Sequence, residues 1–322
     1  MKCHTAGGLP EFLKNGGTTV VSPTGSVTTT GVGAMHPSNG FMCTTCHDEA
    51  NFPKRYAVAS VTFPSMKTVS FGGRDADGHW VVDDSNLCIS CHMGRESTAS
   101  VNAALGDKAA DTVDAKISFK NIHYFAAGAT LFGNDVQGAY QYPGKEYKGQ
   151  NSEHPLNKCK DCHDVHALQP KLEACAGCHG DAKPEEIRFN TDTTDWDGDG
   201  NVTEGIASEI QTLSDALYAQ IQAYAGKNSK GIIYDAAAYP YFFLDADGDG
   251  KADTGDKGPV NYNGNWTPRL LRAAYNYQYT QKDPGAFVHN PMYVIQFLFD
   301  SIQDLGGDVS GYTRPAVQAP VQ

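Results

Sequence analysis

The chain has 322 residues, of which 40% are hydrophobic and 19% charged, with 34 glycines and 16 prolines. This length allows one large or two moderate domains, and we expect two, rich in loops. The 25 basic and 37 acidic side chains give a formal charge of -12, which excludes roles that require binding to nucleic acid or to an anionic membrane surface. No apolar run approaches the ~20 residues of a transmembrane helix, and no secretory signal opens the chain.

The first half of the chain shows few signals of regular structure. Residues 17–33 are rich in Thr, Ser, Val and Gly, which predicts an exposed loop or irregular strand. Residues 56–63 and 67–71 alternate in character on either side of Pro64 and Ser65, which indicates a small β-hairpin. We expect loops and short helices in most of the remainder of the first 185 residues.

The second half shows helical patterns. Apolar residues recur every three or four positions from Ile206 to Tyr224, which predicts an amphipathic helix ended by Gly226. Residues 270–279 indicate a second helix. Asn290 and Pro291 provide an N-cap and a first-turn proline for a third, which Gly306 would end. These patterns predict a helical domain over residues 189–308, followed by a tail over residues 309–322.

Eight of the nine cysteines form four C-x-x-C pairs, and a histidine follows every pair. The cysteines are Cys43, Cys46, Cys88, Cys91, Cys159, Cys162, Cys175 and Cys178, and the histidines are His47, His92, His163 and His179. Two thiols at this spacing can add to both vinyl groups of one porphyrin, while the adjoining imidazole binds the iron as proximal ligand. The repeated motif therefore predicts a multihaem c-type cytochrome domain over residues 1–188.

Two other interpretations of the cysteine pairs are structural zinc and disulfides in an exported protein. Neither explains why histidine follows every pair. A C-x-x-C disulfide is usually redox-active, and the βαβ context of that chemistry is missing here. With haem attached, the cofactors would replace a conventional core, and the chain without haem should fold poorly.

The ninth cysteine lies at the start of the chain. Cys3 and His4 would complete a fifth motif if cysteine preceded Met1, so we expect a truncated start and an export signal upstream. An extracytoplasmic location follows from that expectation. The alternative is a free cysteine beside a stray histidine at a frayed end.

Six histidines remain as candidates for the distal positions of five irons. They are His36, His79, His123, His154, His166 and His289. A haem with two protein ligands has no open position for a substrate, so this surplus favours electron transfer over catalysis or oxygen binding. Met42, Met66 and Met93 are rival ligands, or they pack against porphyrin.

Two acidic loops in the second half resemble EF-hand calcium loops, with oxygens at alternate positions and glycine at the sixth. The candidate ligands of the first are Asp195, Asp197, Asp199 and Asn201, with Glu204 or Glu209 closing the shell because position twelve is Ile206. Those of the second are Asp245, Asp247, Asp249, Lys251, Asp253 and Asp256. Calcium would be structural here. The alternative is a pair of solvated Asp-Gly turns.

Three segments resemble the exported multihaem cytochromes of metal-reducing bacteria, and the resemblance extends over most of the chain. They are residues 86–97, 121–130 and 283–290, which read NLCISCHMGRES, NIHYFAAGAT and DPGAFVHN. The resemblance implies bis-histidine haems that pass electrons across the periplasm or outer surface. It also implies redox proteins or extracellular acceptors such as metal oxides as partners, and self-assembly in some members. The expected fold is that of a multihaem cytochrome c: loop-rich, mainly α with little β, with a haem-organised N-terminal part and a helical C-terminal part.

Two rival functions remain. A multihaem reductase of nitrite or hydroxylamine type would need one iron with an open face, and no motif here departs from C-x-x-C-H. A structural or adhesive calcium protein would leave the four motifs unexplained.

Overall fold

The computed structural model describes residues 2–34, 40–188 and 193–317. Within these ranges the chain forms α-helices and short strands. The helices are Gly8–Lys14 (α1), Cys43–Cys46 (α2), Ser85–Ile89 (α3), Thr98–Leu105 (α4), Ala127–Phe132 (α5), Cys159–Cys162 (α6), Leu172–His179 (α7), Ile206–Asn228 (α8), Pro268–Lys282 (α9), Ala286–His289 (α10) and Pro291–Asp304 (α11). In the described parts of the chain, no helix combines the length and the apolar character that a membrane span requires.

The strands form four antiparallel hairpins. They are Thr19–Val21 (β1) with Val27–Thr29 (β2), Val61–Thr62 (β3) with Thr68–Val69 (β4), Ile232–Tyr234 (β5) with Phe242–Leu244 (β6), and Thr254–Gly255 (β7) with Gly258–Pro259 (β8). The predicted hairpin around Pro64 is confirmed, with shorter strands than expected. The predominance of helix agrees with the expected fold class.

The three long helices α8, α9 and α11 pack against one another and form the centre of the hydrophobic core. Leu217 of α8, Leu271 of α9 and Leu298 of α11 are each 0% exposed. Full burial of one such side chain stabilises the fold by about 1.5–3 kcal/mol. The C-terminal helices are therefore held by ordinary apolar packing.

The predicted starts of α8 and α11 are confirmed, and one predicted end is wrong. The Asn290 side chain accepts a hydrogen bond from the Tyr293 N–H at 3.3 Å, so it caps α11 as expected. Gly226 does not end α8, which continues to Asn228. Ala225 is fully buried, so packing carries the helix past the glycine. Asn228 also donates to the Tyr224 carbonyl at 3.0 Å.

The core extends into the first half of the chain. The Tyr140 N–H donates to Asn276 of α9 at 2.7 Å, and the Ala139 N–H donates to the hydroxyl of Tyr293 at 3.1 Å. One apolar cluster includes Phe132 as well as the C-terminal helices. Residues on both sides of position 188 thus share a core, and the division into two domains at that position stays a prediction.

Three of the helices that carry cysteine motifs bury little, whereas α3 buries Ser85, Asn86, Leu87 and Ile89. Helices α6 and α7 have no buried residue, and in α2 only Thr45 is buried. Large apolar side chains beside them face solvent: Phe41, Met42, Phe52, Phe125, Leu168 and Leu172 are between 54% and 67% exposed. Helices of four to eight residues are not stable in water without packing partners. These helices need an apolar partner that the described polypeptide does not supply.

Candidate haem-binding sites

Three motifs fold in the same local way. Each places its cysteine pair on a single helical turn, which a hydrogen bond closes from the motif histidine N–H to the carbonyl of the first cysteine. This bond is 2.9 Å long for His47, His92 and His163. Because the turn is closed in this way, the two thiols and the imidazole are presented together, as attachment to one porphyrin requires.

Two proximal candidates have their outer ring nitrogen fixed by a carbonyl group. Nδ1 of His47 lies 2.7 Å from the Pro53 carbonyl oxygen, and Nδ1 of His92 lies 2.8 Å from that of Phe125. A carbonyl can only accept, so Nδ1 donates its hydrogen and the lone pair is left on Nε2. This tautomer is the one that an iron ligand needs.

Two motif histidines face a second histidine at a spacing that suits an intervening iron. The ring centres of His47 and His166 are 6.5 Å apart with their planes 12° from parallel. His179 and His154 have the same separation and an angle of 11°. With metal–nitrogen bonds of about 2.0 Å, two imidazoles on opposite sides of one metal place their ring centres roughly 6 Å apart. Both pairs fit this arrangement.

His4 of the partial motif faces His123. Their Nε2 atoms are 3.3 Å apart and their ring centres 5.5 Å. Burial, and after it the positive charges of Arg95, His4 and Lys282, lower the pKa of His123 to about 4. His123 is therefore neutral at neutral pH, and its lone pair is available for a metal.

His289 differs from the other candidates because a carboxylate holds its ring. Its Nδ1 lies 3.0 Å from both carboxylate oxygens of Asp283. Asp283 is 2% exposed, and Thr130 donates to its Oδ2 at 2.5 Å. The pKa of His163 is lowered by burial and then by the charges of His289 and His92, so these three histidines share one region.

The remaining ligand candidates fall into different places. The side chain of His79 is 79% exposed and lies 3.6 Å from Asp75, and within the described residues it contacts no motif histidine. His36 lies outside the described residues. Met93 is buried, and its sulfur accepts a hydrogen bond from Lys2 at 3.1 Å. Met42 and Met66 are 67% and 52% exposed.

The motifs themselves are neighbours in space. The neighbouring Cys91 thiol is the largest influence on the pKa of Cys3, which is lowered to about 7. The Cys159 thiol is likewise the largest influence on Cys88 and lowers its pKa, and α3 packs against α6. The Cys88–Cys91 motif thus touches both the partial motif and the third complete one.

The pKa shifts of two other cysteines indicate two further pairs of neighbouring motifs. Burial raises the pKa of Cys46, and the charge of Cys88 raises it further. Burial and then the charge of Cys175 raise the pKa of Cys162, and α6 packs against α7. The four complete motifs and the partial one at Cys3 therefore belong to one contiguous group, with the Cys88–Cys91 motif at its centre.

The residues present fit haem c better than zinc or disulfides. All nine cysteines are free thiols. The metal-binding groups found among the described residues contain only Asp, Glu and His79, with no cysteine in any of them. A porphyrin would cover the exposed apolar side chains beside the motifs, whereas a zinc ion would leave them in water.

Sequence reasoning missed the groups that orient the imidazoles. The carbonyls of Pro53 and Phe125 are backbone atoms, so no residue type marks them. Asp283 lies six positions before His289, a spacing that no helical or strand period brings together. The turn at Gly285, which joins α9 to α10, places them in contact.

Comparisons with known proteins agree with this chemistry. The chain is 28% identical over 99% of its length to the C-type polyheme cytochrome OmcC of Geobacter sulfurreducens. It is equally similar to the C-type polyheme cytochrome OmcB of two strains of that organism. The chain spans less than half the length of these curated relatives, 44% and 46% respectively. No protein-family model and no solved structure matches the chain.

Repeated haem-attachment motifs whose histidines face second histidines define the class of multihaem c-type cytochromes. The chain is homologous to members of this class along nearly its whole length. The resemblance predicted from the sequence is thereby confirmed.

Proposed function

We propose that this protein is an electron carrier that binds five haems c, each held by two histidines. Bound haem c supplies a one-electron iron couple. The chain's own residues supply the thiols for attachment, the imidazoles on both sides of each iron and the apolar side chains that exclude water. The proposal includes no catalytic residue.

The observation that carries this proposal is the pairing of motif histidines with second histidines. Three pairs are seen: His4 with His123, His47 with His166, and His179 with His154. We propose His289 as the distal ligand of a haem in the region that it shares with His163 and His92. His36, which lies outside the described residues, remains a candidate for a further distal position. An iron with two imidazole ligands has no free position, so this ligand set supports a carrier over a reductase.

Two features support exchange of electrons with other molecules. The five motifs are contiguous, so the cofactors that they hold would be neighbours. Cys43, Cys46 and Cys178 are exposed, so the attached edges of their porphyrins would reach the protein surface. We propose redox proteins or extracellular acceptors such as metal oxides as partners.

We propose an extracytoplasmic location, in the periplasm or at the outer surface. The resemblance of three sequence segments to exported multihaem cytochromes supports this location. A fusion to an export signal, followed by fractionation of cells for covalent haem, tests it. Covalent haem that forms only when the chain is exported agrees with the proposal, and attachment in the cytoplasm contradicts it.

The carrier proposal is tested by spectroscopy of the protein matured with its haems. We expect a pyridine-haemochrome assay and intact mass to report five haems if the fifth motif is complete. Electron paramagnetic resonance should show only low-spin iron, and cyanide and nitrite should leave the spectrum unchanged. A high-spin fraction that binds nitrite would contradict the carrier and favour a reductase.

Transfer to an extracellular acceptor is a separate measurement. Protein reduced with dithionite and freed of excess reductant would be mixed with a suspension of iron oxide, and the α-band absorbance followed. Reoxidation within the mixing experiment supports a metal oxide as acceptor. A spectrum that stays reduced while a soluble redox protein oxidises it would exclude the oxide.

A further inference from the structure

Two acidic loops of the C-terminal half lie outside the haem sites, and we call them loop A (residues 195–204) and loop B (residues 245–253). In loop A, carboxylate oxygens of Asp195, Asp197 and Asp199 lie within 4.8 Å of one another, and so do those of Asp197, Glu204 and Glu209. Calcium binds oxygens at about 2.3–2.6 Å, so two ligands of one ion lie at most roughly 5 Å apart. Each group therefore has the spacing of ligands around one ion, and the two groups share Asp197.

Asp197 gives independent evidence that loop A is built for a cation. Its side chain is 2% exposed. Its Oδ2 is buried and, among the described residues, accepts no hydrogen bond; the same holds for Oε1 of Glu204. A buried carboxylate oxygen without a donor destabilises the fold unless a cation or proton reaches it. Burial and then the charges of neighbouring carboxylates raise the pKa of both groups.

Glu209 has a different role from Glu204. It is 0% exposed, and its Oε2 accepts hydrogen bonds from the N–H groups of Trp196 at 2.8 Å and Asp197 at 3.0 Å. Its other oxygen pairs with Arg188. Glu209 therefore already has partners and holds the loop in place, whereas Glu204 has a free oxygen. Of the two residues that could close the shell, the structure favours Glu204 as the ligand.

Loop B has a similar arrangement with one group of three carboxylates. Carboxylate oxygens of Asp245, Asp247 and Asp253 lie within 4.8 Å of one another. Asp245 is 5% exposed, and its Oδ1 is buried with no hydrogen-bond partner in the described part of the chain. Asp256 lies in the turn between β7 and β8, outside this group.

The backbone of the two loops is alike. Gly198 and Gly200 in loop A have φ angles of +76° and +89°, and Gly248 and Gly250 in loop B have +73° and +79°. These left-handed positions turn the chain so that alternate carboxylates converge. Gly198 also has no room for a side chain, since a Cβ there would lie 2.1 Å from the Gly311 carbonyl oxygen.

We propose that loop A and loop B each bind one Ca²⁺. The ligands in loop A are Asp195, Asp197, Asp199 and Glu204, and those in loop B are Asp245, Asp247 and Asp253. An all-oxygen, anionic ligand set selects a hard cation over zinc or copper.

The ion in loop A would fix the connection between the last haem motif and the helical core. The Ile206 N–H at the start of α8 donates to the Ile187 carbonyl at 3.1 Å. On the other side, the Thr313 N–H donates to the Trp196 carbonyl at 3.0 Å. Loop A thus joins three segments, and neutralising its charge holds all three together.

Calorimetry of the haem-loaded protein after chelation tests the two sites. We expect two equivalents of Ca²⁺ to bind. Asp197→Asn should lose the equivalent bound by loop A, and Asp245→Asn the equivalent bound by loop B. Each substitution removes the negative charge of a buried carboxylate that has an unpartnered oxygen. Asp215→Asn is the matched control, since Asp215 is exposed on α8 and pairs with Gln211; it should keep both equivalents.

Thermal unfolding separates a cation ligand from a merely structural aspartate. In a chelator, Asp197→Asn should unfold at a temperature equal to or above that of the unmodified protein, because it removes an unpartnered buried charge. In excess Ca²⁺ the order should reverse, because only the unmodified loop A binds the ion. An unchanged haem spectrum shows that the variant is folded.

Several outcomes would overturn the proposal. They are an absence of Ca²⁺ binding to the unmodified protein, equal binding of Mg²⁺ at the same concentration, and two equivalents retained in both variants. A loss of stability in Asp197→Asn that is the same with and without Ca²⁺ would assign Asp197 to the loop turn alone.

Discussion

The motif helices and the C-terminal helices of this protein are stabilised in different ways. Helices α8, α9 and α11 bury fully their aliphatic residues at the centre of the core, such as Leu217 and Leu271. Helices α6 and α7 have no buried residue, although they carry two complete motifs. The first set can form from apolar packing alone. The second set needs the cofactor, so haem attachment is a folding step for one part of the molecule and not for the other.

The largest difference between the motif helices and the C-terminal helices should appear in protein produced without haem attachment. We expect backbone amides of α2, α6 and α7 to exchange with solvent at nearly the unprotected rate, because these short helices contain at most one buried residue each. Amides of α8, α9 and α11 should stay protected. Hydrogen exchange read by mass spectrometry measures both sets in one experiment. Equal protection of the two sets would show that the polypeptide alone holds the motif helices.

Truncation of a leucine in each part compares the two kinds of packing. Leu217→Ala should lower the free energy of unfolding by about 2–5 kcal/mol, since the side chain is removed from a closed core. Leu172→Ala in α7 is the matched control, with both variants compared in protein produced without haem attachment; the residue is 56% exposed there and should change that free energy by about 0.5 kcal/mol or less. Denaturant unfolding followed by circular dichroism at 222 nm measures both. A larger loss for Leu172 would mean that α7 belongs to the core.

The difference between helices held by apolar packing and helices that carry the motifs explains which elements the sequence could predict. The periodicity of residues 206–224 and the cap at Asn290 report local packing and hydrogen bonding, so α8 and the start of α11 were predictable. The predicted end of α8 at Gly226 is wrong because burial of neighbouring residues outweighs the low helix propensity of glycine. The motif helices have no periodic signal, and only their chemistry marks them.

For the candidate sites, the sequence could identify the ligands but not their partners. The C-x-x-C-H spacing predicts attachment and the proximal histidine, because both depend on local geometry. The pairing of His4 with His123 joins residues 119 positions apart, which depends on the whole fold. The role of Asp283 was unpredictable for the same reason.

Removal of one distal histidine should change the spin state of one haem and leave the stability of the helical core unchanged. His166→Ala should convert one haem from low-spin to high-spin, because the iron that His47 binds loses its second imidazole. The unfolding transition at 222 nm should stay within about 1 kcal/mol of the unmodified protein's. Electron paramagnetic resonance measures the spin state.

His79→Ala is the control for that change. His79 is highly exposed and pairs only with Asp75 among the described residues, so its loss should leave every haem low-spin. A high-spin signal in His79→Ala, or its absence in His166→Ala, would reverse the assignment of these two histidines.

The smallest expected effect comes from the contact between Asp283, which follows α9, and His289 of α10, a proposed haem ligand. A carboxylate that accepts from Nδ1 increases the electron density on the ligand and stabilises the oxidised iron. Asp283→Asn keeps the shape and removes the charge, so one haem should have a higher reduction potential. A change of about 1 kcal/mol corresponds to roughly 40–50 mV for a one-electron couple.

Spectroelectrochemical titration measures that shift. Asp135→Asn is the control, because Asp135 is exposed and accepts from the Gln150 N–H at 2.9 Å; it should leave all potentials unchanged. Because Thr130 of α5 also donates to Asp283, Thr130→Val should shift the same haem by a smaller amount without removing the charge. If Asp283→Asn left every potential in place while lowering the unfolding temperature, Asp283 would only join α5, α9 and α10. A shift shared by Asp283→Asn and Thr130→Val would instead show that the core sets the potential of a cofactor that the motif helices hold.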